Sequence, residues 1–312
     1  MKYLVTGGAG FIGSNIVSVL LSRGHEVVVL DNFATGKREN ILPLMKDPNM
    51  TMIEGDLRSF HIVRAAVKGV DYILHQGALP SVPRSINDPI TSNDVNILGT
   101  LNILEAAKEF GVKRVVCASS SSIYGNSETL PKVETMPVNP LSPYALTKYA
   151  QERYCQVFSV LYGLETVSLR YFNVFGPRQD PTSQYSAVIP KFIKMIMNDK
   201  EPTIYGDGSQ SRDFTYVENN IEANILACSA PKAAGEVFNI ACGERYTLID
   251  LVNMINEILG KNIEPKFAPD RAGDVKHSLA DIDKAKDMLG YEVKVDFRAG
   301  LERTVRFFEV KR

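Results

Sequence analysis

The feature that most restricts this chain is a glycine-rich turn near its start, Gly7-Gly8-Ala9-Gly10-Phe11-Ile12-Gly13. A short apolar stretch, residues 3–6, precedes it. Ile16, Val17, Val19, Leu20 and Leu21 follow at a spacing that predicts a helix ending near Gly24. Val27-Val28-Val29-Leu30 is then a fully apolar strand, closed by Asp31. A strand, a glycine turn and a helix in that order bring the backbone close to a pyrophosphate lying at the helix N-terminus, and Gly13 lets the helix pack tightly on its sheet. Asp31 is placed to accept hydrogen bonds from an adenosine ribose. Its carboxylate opposes an added 2′-phosphate and so favours NAD over NADP, while Lys37 and Arg38 nearby leave NADP open. The alternative is a glycine turn with a strand-capping Asp and no cofactor.

The same pattern continues along the chain. Strand-like runs recur at 50–53, 70–75, 112–118 and 165–170, with helical stretches clearest at 95–109 and 144–161. Apolar strands alternating with helices predict an α/β fold, a Rossmann-type doubly wound parallel sheet covered on both faces. From about residue 175 the pattern loosens, and prolines and glycines mark loops between helices at 188–198, 217–229, 247–259 and 298–309. We read residues 1–172 as the NAD-binding domain. Residues 173–312 are mainly a smaller C-terminal substrate-binding domain, with later segments returning to the large sheet.

A formal charge of -1 over 312 residues gives no reason to expect nucleic acid or an acidic membrane surface as partner. Cys117, Cys155, Cys228 and Cys242 are scattered without metal-ligand spacing, so neither a metal nor a structural disulfide is expected. The chain enters its first strand directly, without a signal-peptide pattern, and no run is long enough to span a membrane. A cytoplasmic protein is the expectation.

Tyr144-Ala145-Leu146-Thr147-Lys148 puts a phenol and an ammonium on one helix face. The cation can lower the phenol pKa, which makes Tyr144 a candidate base at neutral pH. Alone the spacing is common; its weight comes from following a cofactor-binding half. Ser119-Ser120-Ser121-Ser122 directly follows the fifth strand, where loops of parallel sheets bind ligands. A serine there could bond a sugar hydroxyl, or the run could be a polar turn. Asp56 follows the third strand and could meet an adenine edge or serve only the loop. Leu57 beside it, Asn32 beside Asp31, and Gln76 after the fourth strand join Gly7, Gly10, Phe11, Ile12, Gly13 and Asp31 as cofactor candidates.

Taken together, the Gly7–Gly13 loop, residues 96–100, Ser119 to Gly125, Tyr144/Lys148, Tyr171 to Arg178, Arg212-Asp213-Phe214 and Arg271-Ala272-Gly273-Asp274 resemble the extended short-chain dehydrogenase/reductases, and within them the UDP-sugar 4-epimerases. The resemblance covers essentially the whole chain. It implies Tyr144 as base, Lys148 as its electrostatic partner and nicotinamide-ribose ligand, and Ser120 at the sugar hydroxyl. Ser81, Ser121 and Ser122 would line the sugar pocket, and Asn96 would support the active-site backbone beside the cofactor. Asn173, Arg212 and Arg271 would hold the diphosphate, Val188 and Tyr205 the nucleotide, and Asp274 the uridine ribose. Ser278 would be the wall near the sugar C2 substituent. Pro80 departs from the glycine usual before Ser81, which puts that loop's path in doubt.

The reaction so implied is removal of the O4 proton and C4 hydride, turnover of a 4-keto sugar within the site, and return of hydride to the opposite face. A small Ser278 predicts activity on UDP-N-acetylglucosamine and UDP-N-acetylgalactosamine as well as on UDP-glucose and UDP-galactose. The competing readings are a UDP-glucose 4-epimerase without N-acetyl activity, a UDP-glucuronate 4-epimerase or decarboxylase, and a non-catalytic NAD-binding regulator. A 4,6-dehydratase is disfavoured because Ser121 and Ser122 stand where that class carries an acidic pair. The resemblance also implies a homodimer built on the helices at 95–109 and 144–161.

Overall fold

Seven parallel strands form the framework. In the computed structural model, which describes residues 1–181, 187–269 and 276–310, the first six are β1 (Lys2–Thr6), β2 (Glu26–Asp31), β3 (Met50–Glu54), β4 (Tyr72–His75), β5 (Arg114–Ser120) and β6 (Thr166–Tyr171). Between them run α1 (Phe11–Ser22), α2 (Arg38–Ile41), α3 (Phe60–Val67), α4 (Val82–Asn87), α5 (Pro89–Asn93), α6 (Gly99–Phe110) and α7 (Pro143–Tyr162). The rest is more broken: β7 (Val174–Phe175), α8 (Val188–Met197), β8 (Thr203–Tyr205), β9 (Ser211–Arg212), β10 (Thr215–Tyr216) and α9 (Val217–Ser229). Then come β11 (Val237–Ile240), β12 (Tyr246–Thr247), α10 (Leu248–Leu259), β13 (Lys266–Ala268), α11 (Asp283–Leu289) and α12 (Phe297–Val310).

The sheet order is β11-β6-β5-β4-β1-β2-β3, so the strand order reverses between β1 and β4. In such sheets a ligand crevice opens at the carboxyl ends of the strands beside that reversal. Neighbouring residues in the strands serve opposite faces. Val5, Val29 and Val116 join one apolar cluster, and Leu4, Val28 and Val115 join the other. Burial on both sides is why these strands read as continuous apolar runs rather than alternating ones.

Two departures from the sequence reading have clear causes. The helix expected at 95–109 is preceded by α4, α5 and one widened turn over Asp94–Leu98. Pro83 and Pro89 look like loop markers, but each sits in the first turn of its helix, where the missing N–H costs nothing. The seventh strand, β11, is four residues amid loops and carries little periodic signal in the sequence; it pairs with β6 from Val237↔Ser168 to Ile240↔Tyr171. Cys117 and Cys155, scattered in sequence, lie on β5 and α7 with their sulfurs 3.3 Å apart, both buried as free thiols.

Candidate active site

The crevice begins where β1 turns into α1. Gly7 has φ +65°, and a Cβ there would come within 2.8 Å of the Gly77 backbone. At Gly13 a Cβ would lie 2.2 Å from the Gly7 carbonyl oxygen. Both positions therefore exclude a side chain through backbone approach. Gly10 caps α1 without a side-chain hydrogen bond, which leaves first-turn amides for an anion. Gly7, Gly10, Phe11, Ile12 and Gly13 all border one cleft of about 580 Å³, together with Asp31, Gln76, Ser81, Tyr144 and Lys148.

Asp31 closes the far wall. Its carboxylate accepts from the Ala9 amide at 2.9 Å and the Phe33 amide at 2.8 Å. Burial pushes its pKa up, and those amides oppose the rise. Asn32, Asp56 and Leu57 line the adjoining hollow with Asp31. The two Arg58 bonds to the Asp56 side chain, at 2.7 and 2.9 Å, are the main reason its carboxyl is held down at about 2, with a further bond from Asn32 at 2.9 Å. The cations that left NADP open are engaged elsewhere: Lys37 pairs with Asp180 at 3.0 Å, and Arg38 with both oxygens of Glu54. Asn96 is buried, accepting from Leu79 N at 2.7 Å and donating to Thr147 Oγ1 at 3.0 Å. It ties the cleft wall to α7 without bordering the cleft.

Tyr144 and Lys148 share the inner face of α7, and both border the cleft. The Lys148 ammonium donates to Ala118 O at 2.7 Å and Gln151 Oε1 at 3.2 Å, and burial lowers its pKa to about 8. The expected lowering of the Tyr144 phenol by Lys148 does not appear in this arrangement. Burial raises the phenol, and a hydrogen bond with Ser120 is what opposes the rise. The ammonium spends itself on a backbone carbonyl and an amide instead. The Tyr144 amide donates to Ser85 Oγ at 3.0 Å, anchoring the loop that begins at Ser81. Ser81 itself has φ +96°, a left-handed value that shows the backbone after Pro80 following an unusual path.

A second cavity of about 690 Å³ adjoins the first and is bordered by Ser120, Ser121, Ser122, Asn173, Arg212 and Ser278. Ser122 Oγ is buried without a hydrogen-bond partner among the described residues. Asn173 Nδ2 donates to Asp213 O and to Ser278 Oγ, both at 3.1 Å. Arg212 donates to Ser211 O and Lys276 O, each at 3.0 Å. Val188 and Tyr205 are not among the bordering residues: Val188 opens α8 against the apolar core, and Tyr205 ends β8 with its carbonyl bonded by Gln210. Arg271 and Asp274 lie outside the described residues.

Sequence reasoning missed three contributors. Tyr171 borders both cavities. Lys132, buried against Ser127 O and Thr129 O, borders the second. Beneath the serine run, Ser119 donates to Glu152 at 2.5 Å, and Glu152 pairs with Arg170 at 2.8 Å with both side chains almost fully buried. Arg170 in turn reaches Tyr124 OH at 2.8 Å. The sequence holds no local signal for such a chain of long-range bonds. No group of three metal-ligating side chains occurs among the described residues.

A glycine-lined turn at a helix N-terminus, a carboxylate at the end of β2, a Tyr–Lys pair and an adjoining polar cavity are together what a dinucleotide-dependent enzyme of this fold needs. Residues 3–241 match the NAD dependent epimerase/dehydratase family. The chain is 37% identical over 318 residues to the UDP-glucose 4-epimerase of Mycolicibacterium smegmatis, covering 100% of this chain and 99% of that one. It superposes on a UDP-N-acetylglucosamine 4-epimerase from Methanobrevibacter ruminantium, solved with UDP-N-acetylmuramic acid, with TM-score 0.95 at 42% identity, covering 100% and 99% of the two chains. A Thermus thermophilus UDP-glucose 4-epimerase in complex with NAD gives TM-score 0.89 at 40% identity, with 99% of each covered. The chain belongs to the NAD dependent epimerase/dehydratase family, the extended short-chain dehydrogenase/reductases. Its activity is that of an NAD-dependent UDP-sugar 4-epimerase.

Proposed function

We propose that this epimerase interconverts UDP-N-acetylglucosamine with UDP-N-acetylgalactosamine, and UDP-glucose with UDP-galactose. The observation that carries the reading is Ser278, a small side chain bordering the sugar cavity and bonded to Asn173. A small wall admits the N-acetyl group and rejects the smaller sugar only weakly. The Methanobrevibacter relative, named for N-acetylglucosamine, supports it.

In this reading residues 1–172 mainly hold the cofactor and residues 173–312 mainly the UDP-sugar, in the cytoplasm. NAD, when bound, accepts and returns hydride and carries positive charge on its oxidised ring. Gly7, Gly10, Phe11, Ile12 and Gly13 cradle its pyrophosphate, Asp31 and Asn32 its ribose, and Asp56 and Leu57 its adenine end. Gln76 and Lys148 take the nicotinamide end, with Asn96 bracing the wall behind them. Tyr144 takes and returns the O4 proton, its phenol steadied by Ser120, while Ser81, Ser121 and Ser122 hold sugar hydroxyls. Asn173, Arg212 and Arg271 neutralise the diphosphate, a task suited to the guanidinium fork. Val188, Tyr205 and Asp274 take the uridine. Because affinity resides in the UDP, the sugar can turn over between the two hydride transfers without leaving.

The test compares both substrate pairs on wild type and Ser278→Tyr. The variant should lose the N-acetylated reaction and keep the other. Absence of N-acetyl activity in wild type, or its survival undiminished in the variant, overturns the assignment; product from UDP-glucuronate would favour the uronate reading. A homodimer is part of the same proposal. On α7, Leu146, Val157 and Leu161 leave 55%, 39% and 67% of their surface exposed along one stripe, which a second copy of the chain would cover. Light scattering at micromolar concentration should give twice the chain mass, and a monomer mass refutes it.

A further inference from the structure

Three polar side chains form a hydrogen-bonded ring beside the dinucleotide cleft. Gln76 follows β4, Tyr171 ends β6, and Asn224 lies within α9, on the other side of the chain's long excursion. Asn224 Nδ2 donates to Tyr171 OH at 2.6 Å, Tyr171 OH donates to Gln76 Oε1 at 3.1 Å, and Gln76 Nε2 donates to Asn224 Oδ1 at 3.0 Å. Asn224 Nδ2 also donates to the Asn220 carbonyl at 2.7 Å. Asn224 is fully buried, and Gln76 and Tyr171 border the dinucleotide cleft.

That last bond gives the ring a direction. A backbone carbonyl only accepts, so the Asn224 atom facing Asn220 must be the amide nitrogen. Its oxygen then faces Gln76, which must answer with Nε2 and turn Oε1 to Tyr171. The Tyr171 proton is thereby committed to Gln76. What is left over is the second N–H of Gln76, which has no acceptor among the described residues. Gln76 is half-buried and borders the dinucleotide cleft, so this spare N–H is available to an acceptor that arrives with a ligand.

We propose that Asn224 is a positioning residue for hydride transfer: through this ring it holds the Gln76 amide with one N–H donor toward the dinucleotide cleft, set to receive an amide oxygen at the nicotinamide end of NAD. Asn224 touches neither cavity, so it acts only through Gln76 and Tyr171. The proposal rests on the epimerase activity and not on the choice of sugar.

The test uses the full-length enzyme with Asn224→Leu, Gln76→Leu, their double variant, Gln76→Glu and Tyr171→Phe. NAD affinity is measured by titrating cofactor-stripped protein, and absorbance at 340 nm is followed while wild type and variants turn over whichever UDP-hexose wild type accepts. Asn224→Leu should weaken NAD binding by about tenfold, the worth of one well-placed hydrogen bond. It should also raise the standing 340 nm signal, as hydride fails to return, with KM for the UDP-sugar nearly unchanged. Gln76→Glu, half-buried and the milder test of folding, should weaken NAD binding at least as much, because an acceptor replaces the donor. Tyr171→Phe keeps the Asn224–Gln76 bond and should weaken NAD binding less than Asn224→Leu does. The double variant should be no worse than Gln76→Leu, because Asn224 has no other route to the cofactor. Losses that add in the double variant overturn the proposal, as does an Asn224→Leu protein with a lowered melting temperature but unaltered NAD affinity and 340 nm signal. Wild-type turnover in the same assay keeps failure of the epimerase reading distinct.

Discussion

The two cavities are built in different ways. The cleft at the strand reversal takes its walls largely from ends of neighbouring strands and the first turn of α1, and its Asp31 bonds to the nearby backbone of Ala9 and Phe33. The second cavity takes its walls from α4, strand ends and loops far apart in the chain, and is held in part by side chains meeting across the chain, as Asn173 meets Ser278. The first is shaped largely by the sheet. The second depends on every loop docking correctly, which is where substrate choice can vary while hydride chemistry stays the same.

The strongest way to break that comparison is at the boundary. Tyr144→Phe removes the hydroxyl bonded to Ser120 and should lower turnover by about 10²–10⁴-fold, with NAD content and UDP-sugar affinity kept. Steady-state kinetics beside calorimetric binding decide it; turnover near wild type would remove Tyr144 from the proton transfer. Arg170→Leu comes next. It leaves Glu152 charged and unpaired beneath the serine run, so unfolding in urea should show a loss of about 3–5 kcal/mol. A loss under about 1 kcal/mol would mean that the buried pair does little to hold α7 against β6 beneath the serine run.

A third effect lies at the end of β4 and is absent at neutral pH, growing only as the solution is acidified. His75 is buried between Thr6 Oγ1 at 2.7 Å and Thr100 Oγ1 at 3.0 Å, and burial lowers its pKa from 6.5 to about 3. The folded value lies below the unfolded one. The stability held by the neutral ring is therefore complete above pH 6.5 and is lost as pH falls toward 3, at about 1.4 kcal/mol per pH unit. Urea unfolding at a series of pH values should show that slope, and the His75 imidazole resonance should stay constant through pH 5. Titration of His75 near 6.5 would show that the sheet end is open to water.

What the sequence determined by itself is the part in which neighbours in the chain are neighbours in space. Gly7 through Gly13 and Asp31 are legible because strand, turn and helix are local, and backbone approach admits only glycine at Gly7 and Gly13. Tyr144 and Lys148 are legible because one helical turn joins them. Resemblance to a family brought Ser278 and Asn173 into one site; no spacing rule could, since 105 residues separate them. Tertiary structure alone decided that β11 completes the sheet, that Lys148 turns to Ala118 rather than lowering its tyrosine, and that Asn224 meets Gln76 across 148 residues. Such contacts are set by how loops and helices dock after the sheet forms. A buried asparagine on α9 carries the same letter in the sequence whether it closes a ring of hydrogen bonds or faces water.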